Sequence, residues 1–225
     1  MSHADLSVPA AERPAAGQGI GAGDPHPDRT RERLVAAASE LLAQGGVEAV
    51  TLRAVGTLTG VSRTAPYRHF QDKQELLSAV AHEGFVLMQQ DMARTMAAGD
   101  DDGDVAAALH RACVAYVRAG LARPAHYRLM FGDRGADRPD RARDAAAAEG
   151  AAFFLGIIAT AQRAGVIRAG EVRELAATIW ALLHGLVDLT LVGQLRAAKL
   201  VDGAEAAPRI IAQLLAGLAP PPTSS

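Results

Sequence analysis

Between Thr51 and Phe70 the chain has room for two short helices, one sharp turn and little else. Thr51 can cap a helix through about Thr59, with Leu52, Val55 and Leu58 facing inward. Gly60 ends it, because glycine accepts the left-handed backbone that a tight exit requires. Ser62 can cap the next helix, which reaches about Phe70 or Gln71. Two helices joined by so few residues have the spacing of a helix-turn-helix, and Val61 can plug the angle between them. With Ser62 as cap, Pro66 is the fourth helical residue. It then forfeits the first intrahelical bond, and its ring crowds the Ser62 carbonyl, so a distorted first turn is expected.

The rest of the chain continues in helices. Residues 29–44 place Leu34, Val35, Ala38, Leu41 and Leu42 on one face, and Gly45-Gly46 closes the segment. Asp72 with Glu75 forms a capping box for a long helix to about Ala98. "GDDDGD" then interrupts the chain, and further helices are expected at about 104–121, 124–131, 140–164, 171–195 and 204–218. A second break lies at 132–139. No β-alternation and no internal repeat is visible. The expected class is all-α with about nine helices: a three-helix unit with the helix-turn-helix over 29–75, then a larger bundle over 76–218. Residues 1–28 and 219–225, rich in Ala, Gly, Pro and Ser, read as disordered tails.

Charge separates these parts. The chain has net charge −2, but residues 29–73 hold seven Lys/Arg against four Asp/Glu. A basic segment in an acidic chain can be an electrostatic footprint for nucleic acid, and a solvated helix face would look the same. The single cysteine, Cys113, cannot form an internal disulfide or build a cysteine-rich metal site. It sits in an apolar helical pattern and reads as a buried structural thiol. No basic-then-apolar leader stands at the N-terminus. No uncharged run approaches the roughly 20 residues that cross a bilayer. The chain therefore reads as cytoplasmic, with no membrane partner.

In a helix-turn-helix the second helix can lie in the DNA major groove with its first side chains at base edges. Here these are Arg63 and Thr64. Arginine can donate two hydrogen bonds to guanine, and threonine offers a hydroxyl or a methyl. Tyr67, His69 and Lys73 suit phosphate oxygens. With Thr51, Arg53 and Ser62 they make up the candidate contacts to double-stranded DNA.

The stretch "TLRAVGTLTGVSRTAPYRHFQDKQELLSAV", Thr51 to Val80, resembles the DNA-binding region of TetR-family transcriptional regulators. The preceding "TRERLVAAASELLAQGGVEAVT" is similar to that family's first helix. Gly56 stands where the family usually has alanine, at about 1 kcal/mol of helix propensity. Pro66 replaces a common leucine. Further on, "HYRLMFG" and "IWALLHGLVDL", with Trp180, His184 and Gly185, resemble a C-terminal domain named for a Trp-His-Gly motif. The resemblance implies a homodimeric repressor on a near-palindromic operator, released by a small apolar or mixed-polarity effector. An activator or architectural DNA binder without a ligand is the alternative.

By the same resemblance, the last two long helices form the dimer interface, with Leu182, Leu186, Leu189, Ile211, Leu214 and Leu218 as candidates. Packing of both helices in a monomer core would give the same stripes. Candidate effector contacts are Phe85, Met88, Met92, Tyr116 and Tyr127, then Met130, Phe153, Phe154, Trp180 and His184. Each of these also fits plain core. His184 and Asp188 are four apart but lack a third metal ligand nearby in sequence, and the same holds for His110 and Cys113. No cofactor is expected. No Ser/His/Asp set, phosphate-cradling glycine loop or closed metal set marks an enzyme.

Overall fold

Ten helices are present among the residues that the structure, a computed structural model, describes: 27–98, 103–132 and 141–221. The tails, the acidic break and the loop at 132–139 fall largely outside them. α1 spans Pro27–Ala49 and is broken at Gly46, whose φ of 68° and ψ of −169° are not helical. α2 (Leu52–Thr59) and α4 (Lys73–Ala97) start at the expected caps. Thr51 accepts from the Ala54 N–H at 3.0 Å, and Asp72 accepts from Glu75 N–H at 2.8 Å. Glu75 reaches back to the Gln71 N–H at 2.7 Å, one residue before the cap. Gly60 ends α2 in the left-handed region, with φ 68°.

α3 is shorter than the sequence pattern implies. It runs from Ala65 to His69, with Thr64 and not Ser62 at its cap, and with no side-chain cap bond. The reason is Pro66. A helix begun at Ser62 would need a Pro66 N–H for the Ser62 carbonyl, and proline has none. The Ala65 N–H takes that carbonyl instead at 3.0 Å, and the helix proper starts two residues later than expected. Pro66 then falls in the first turn, where no intrahelical donor is required.

α5 (Val105–Ala122), α6 (Pro124–Phe131), α7 (Arg141–Arg163), α8 (Val172–Leu191), α9 (Gln194–Ala197) and α10 (Gly203–Gly217) complete the chain. α8 stops before the expected 195, because Gly193 turns left-handed (φ 71°) and starts the unforeseen α9. α7 and α8 are each long and apolar enough to cross a bilayer by length and composition, which counting uncharged runs did not anticipate. Both pack into the bundle, against each other and against α5.

Two separate cores result. The first gathers Leu34, Leu42, Val50, Val55 and Phe70 with Leu76, Leu77 and Val80 from the start of α4. Val61 packs against it, as its place at the turn implies. Leu58, expected inward, is 49% exposed. The second core gathers Leu109, Cys113, Val117, Ile158, Ile179, Leu183 and Ile211. α4 belongs to both, and so does α6. Ala125 and Leu129 of α6 pack on the first core, while its Tyr127 and Met130 are buried in the second. Arg123, at the α5–α6 corner, pairs with Asp91 of α4 at 2.9 Å.

Candidate nucleic-acid interface and adjoining cavity

α2, the turn and α3 present a row of exposed side chains, in which the Ser62 and Thr64 hydroxyls lie 3.5 Å apart. Arg53, Ser62, Arg63 and Thr64 are exposed, and Tyr67 is 60% exposed although it is a large aromatic residue. The scaffold behind them is fixed. Arg33 of α1 donates to the Thr59 carbonyl at the end of α2 at 2.9 Å. Arg31 lies 5.2 Å over the Phe70 ring, at the end of α3. Lys73 pairs loosely with Glu48 at 3.7 Å, Thr51 uses an oxygen lone pair in its cap, and His69 is half-buried.

The second part of the chain holds a cavity of about 380 Å³ between α4, α7 and α8, with Tyr116 of α5 and Phe131 of α6 also in its lining. This is within the range of small-molecule pockets. Of the candidate effector contacts, Phe85, Met88, Met92, Tyr116, Phe153, Phe154 and Trp180 line it. Tyr127, Met130 and His184 do not. Met130 packs beside Gly84, where an added Cβ would meet its sulfur, and its carbonyl accepts from the buried Arg143 guanidinium at 2.8 Å.

Tyr127 and His184 stand directly behind the cavity wall, in a hydrogen-bonded relay. The Trp180 indole N–H, which can only donate, gives its proton to the Tyr116 hydroxyl at 3.1 Å. Tyr116 and Tyr127 hydroxyls lie 3.3 Å apart, and the Tyr127 hydroxyl meets His184 Nδ1 at 2.6 Å. His184 Nε2 meets Asp188 at 3.2 Å. Donors pointing one way along the row satisfy every member, with the imidazole proton on Nε2. The rings pack as well as bond: Trp180 stacks on His184 at 5.0 Å, and Phe131 meets Tyr127 at 4.8 Å. Burial pushes the Tyr116 hydroxyl up to about 12 and moves Tyr127 upward further still. His184 and Asp188 therefore belong to this relay. No group of three metal-ligating side chains occurs among the described residues. His110 bonds the Pro208 carbonyl at 2.8 Å through Nε2. Cys113 is fully buried, and burial pushes its thiol up to about 12.

The dimer candidates divide. Leu186, Ile211 and Leu218 are buried within the single chain, at 6%, 0% and 7% exposure, so they are core and not surface. An apolar stripe does not reveal which of its members point inward. Leu182 and Leu214 are half-buried, and Leu189 is 43% exposed beside Val192 at 64%. The sequence reading also missed cavity residues: Gln89, Phe131, Gly150, Arg173, Ala176 and Ala177. Gly150, Ala176 and Ala177 are small, and their contribution is the space they leave. The signal available was the clustering of small residues on α7 and α8 between bulky neighbours.

Two family models match the chain. The model for bacterial regulatory proteins of the tetR family covers residues 34–80, and that for the tetracyclin repressor-like C-terminal domain covers residues 109–214. Together they take in more than half of the sequence. The chain belongs to the TetR family of bacterial regulatory proteins. The Trp-His-Gly residues lie inside the second match, which carries that other description. A curated relative, the HTH-type transcriptional repressor AcnR of Corynebacterium glutamicum, is 35% identical over 71 residues, 32% of this chain. The match spans only about a third of that relative, 37% of its length. Among solved structures, a Rhodococcus protein of unknown function is 27% identical with a TM-score of 0.73, covering 91% of this chain and 100% of that one. A TetR-family transcriptional regulator from Pectobacterium atrosepticum has a TM-score of 0.64 at 23% identity, over 87% of this chain and 97% of that one.

Proposed function

We propose that the protein is a cytoplasmic, homodimeric transcriptional repressor that binds double-stranded DNA at a near-palindromic operator and leaves it when a small molecule enters the cavity. The observation that carries this reading is one helix. α4 begins in the core beneath α2 and α3 and ends as a wall of the cavity, through Phe85, Met88 and Met92. A ligand that prefers one placement of α4 must shift the equilibrium between the two, and DNA that prefers the other must oppose it.

In this reading Arg63 and Thr64 face base edges, and Arg53, Tyr67 and the surrounding hydroxyls take phosphates. The DNA-binding part ends within α4, and the remainder senses and dimerises. Leu189, Val192 and the outer edges of Leu182 and Leu214 supply the twofold contact. Two copies are needed because one five-residue reading helix offers few contacts, whereas a dimer reads two half-sites a helical turn apart.

The test uses DNA fragments selected by the purified full chain from its own genome. We expect binding that weakens steeply with salt and is lost in Arg63→Ala. Equal affinity for selected and scrambled fragments would remove the proposal.

A further inference from the structure

The cavity holds one charge, and its placement defines a ligand. α8 contributes Arg173, Ala176, Ala177 and Trp180. These positions, i, i+3, i+4 and i+7, share one helix face. Seven residues of rise put Arg173 and Trp180 about 10 Å apart along the axis. The two alanines between them leave the void, and Gly150 and Ala151 do the same on α7. The α8 wall is thus a smooth apolar trough with a cation at one end and an aromatic plate at the other.

Polar groups are unequally available along it. At the Trp180 end, the indole and the Tyr116 hydroxyl bond each other and the relay behind them. Arg173 is exposed and makes no ion pair or hydrogen bond among the described residues. No Asp or Glu lines the cavity. Gln89 on α4 adds a half-buried amide without a partner among the described residues.

We infer that the cavity takes an amphiphilic monoanion: one carboxylate held at Arg173 and an apolar body about 10 Å long running along Ala176 and Ala177 to Trp180. A guanidinium matches a carboxylate with two parallel N–H donors. A cationic head would meet a like charge, a dianion would find one partner only, and a neutral head would leave Arg173 to water. This deepens the effector reading above and rests on it.

Three probes share one body and differ in head group: octanoate, octan-1-ol and octylamine. Trp180 is the chain's single tryptophan and lines the cavity, so its fluorescence reports occupancy. At pH 8, octanoate binds at least tenfold more tightly than the alcohol or the amine. Arg173→Gln loses that tenfold preference while its affinity for the alcohol stays within twofold. Ala177→Phe, which fills the trough, loses all three. Equal binding of acid and alcohol, a preference for the amine, an anion preference that survives Arg173→Gln, or no binding of any probe would each overturn the inference. Anisotropy of labelled operator DNA, read in the same samples, separates this from the wider reading. Arg173-dependent binding of octanoate that releases no DNA keeps the ligand class and removes ligand-released repression. Release by the alcohol or amine in wild type and Arg173→Gln alike does the reverse.

Discussion

Pro66 and Gly56 touch: a Cβ built on Gly56 would stand 3.0 Å from Pro66 Cγ and 3.6 Å from Cδ. The proline ring is seated on the bare backbone of α2, where a side chain at position 56 would crowd it. Gly56→Ala should therefore gain little in wild type, although helix propensity alone offers about 1 kcal/mol. In a Pro66→Ala background the same change should stabilise by roughly 0.5–1 kcal/mol more than it does in wild type. Urea denaturation of the four proteins measures the coupling, and additive values would show that the contact carries nothing.

Arg63 and Arg53 should fail differently. Arg63→Ala is expected to cost about 1–3 kcal/mol on the best operator and to flatten sequence preference. Arg53→Ala should weaken all sequences alike and lower the slope of log affinity against log salt by about 1. Salt titrations on selected and scrambled DNA distinguish the two patterns.

The relay behind the cavity sets the alkaline limit of stability. Tyr116 is pushed up to about 12 in the folded chain, against an ordinary value near 10. Folding is thus favoured in full below pH 10. Above it, the unfolded chain loses the proton first, so stability falls, by about 3 kcal/mol from this group once pH passes 12. Tyr127 moves in the same direction. Tyr116→Phe should flatten the decline between pH 10 and 12 in denaturation curves, at the cost of stability at neutral pH. An unchanged alkaline slope would count against this account.

Cys113 provides a probe of opening. With 0% exposure and a thiol pushed up to about 12, it should resist a disulfide reagent at pH 8 in the native protein and react at once in urea. Fast native labelling would mean that the second core opens far more often than its packing implies.

Leu189→Arg places a charge on the exposed apolar edge of α8 without touching the core. Size-exclusion chromatography with light scattering should show monomers with unchanged helical circular dichroism. A dimer that persists would move the interface elsewhere.

The helices were largely legible because caps and periodicity are local: Thr51, Asp72 and Gly60 act within four residues of themselves. The start of α3 departs from the sequence pattern because the missing N–H at Pro66 outweighs a good cap at Ser62. The exposed row on α2 and α3 follows from the motif, since its spacing fixes which residues face outward. The cavity does not. Tyr116, Phe154 and Trp180 are visible as aromatics, but Ala176, Ala177 and Gly150 act by absence, and which helices cross over them is decided by tertiary packing. Inward and outward leucines of α8 and α10 are indistinguishable for the same reason.

α6 has one face in each core, with eight residues to do it. Transplanting this protein's reading head onto another sensor by cutting within α4 would strip the head of Ala125 and Leu129, which close its floor from the far side. A working chimera would have to bring α6 along or rebuild that pair on the recipient, so the module that can be moved is not contiguous in the gene.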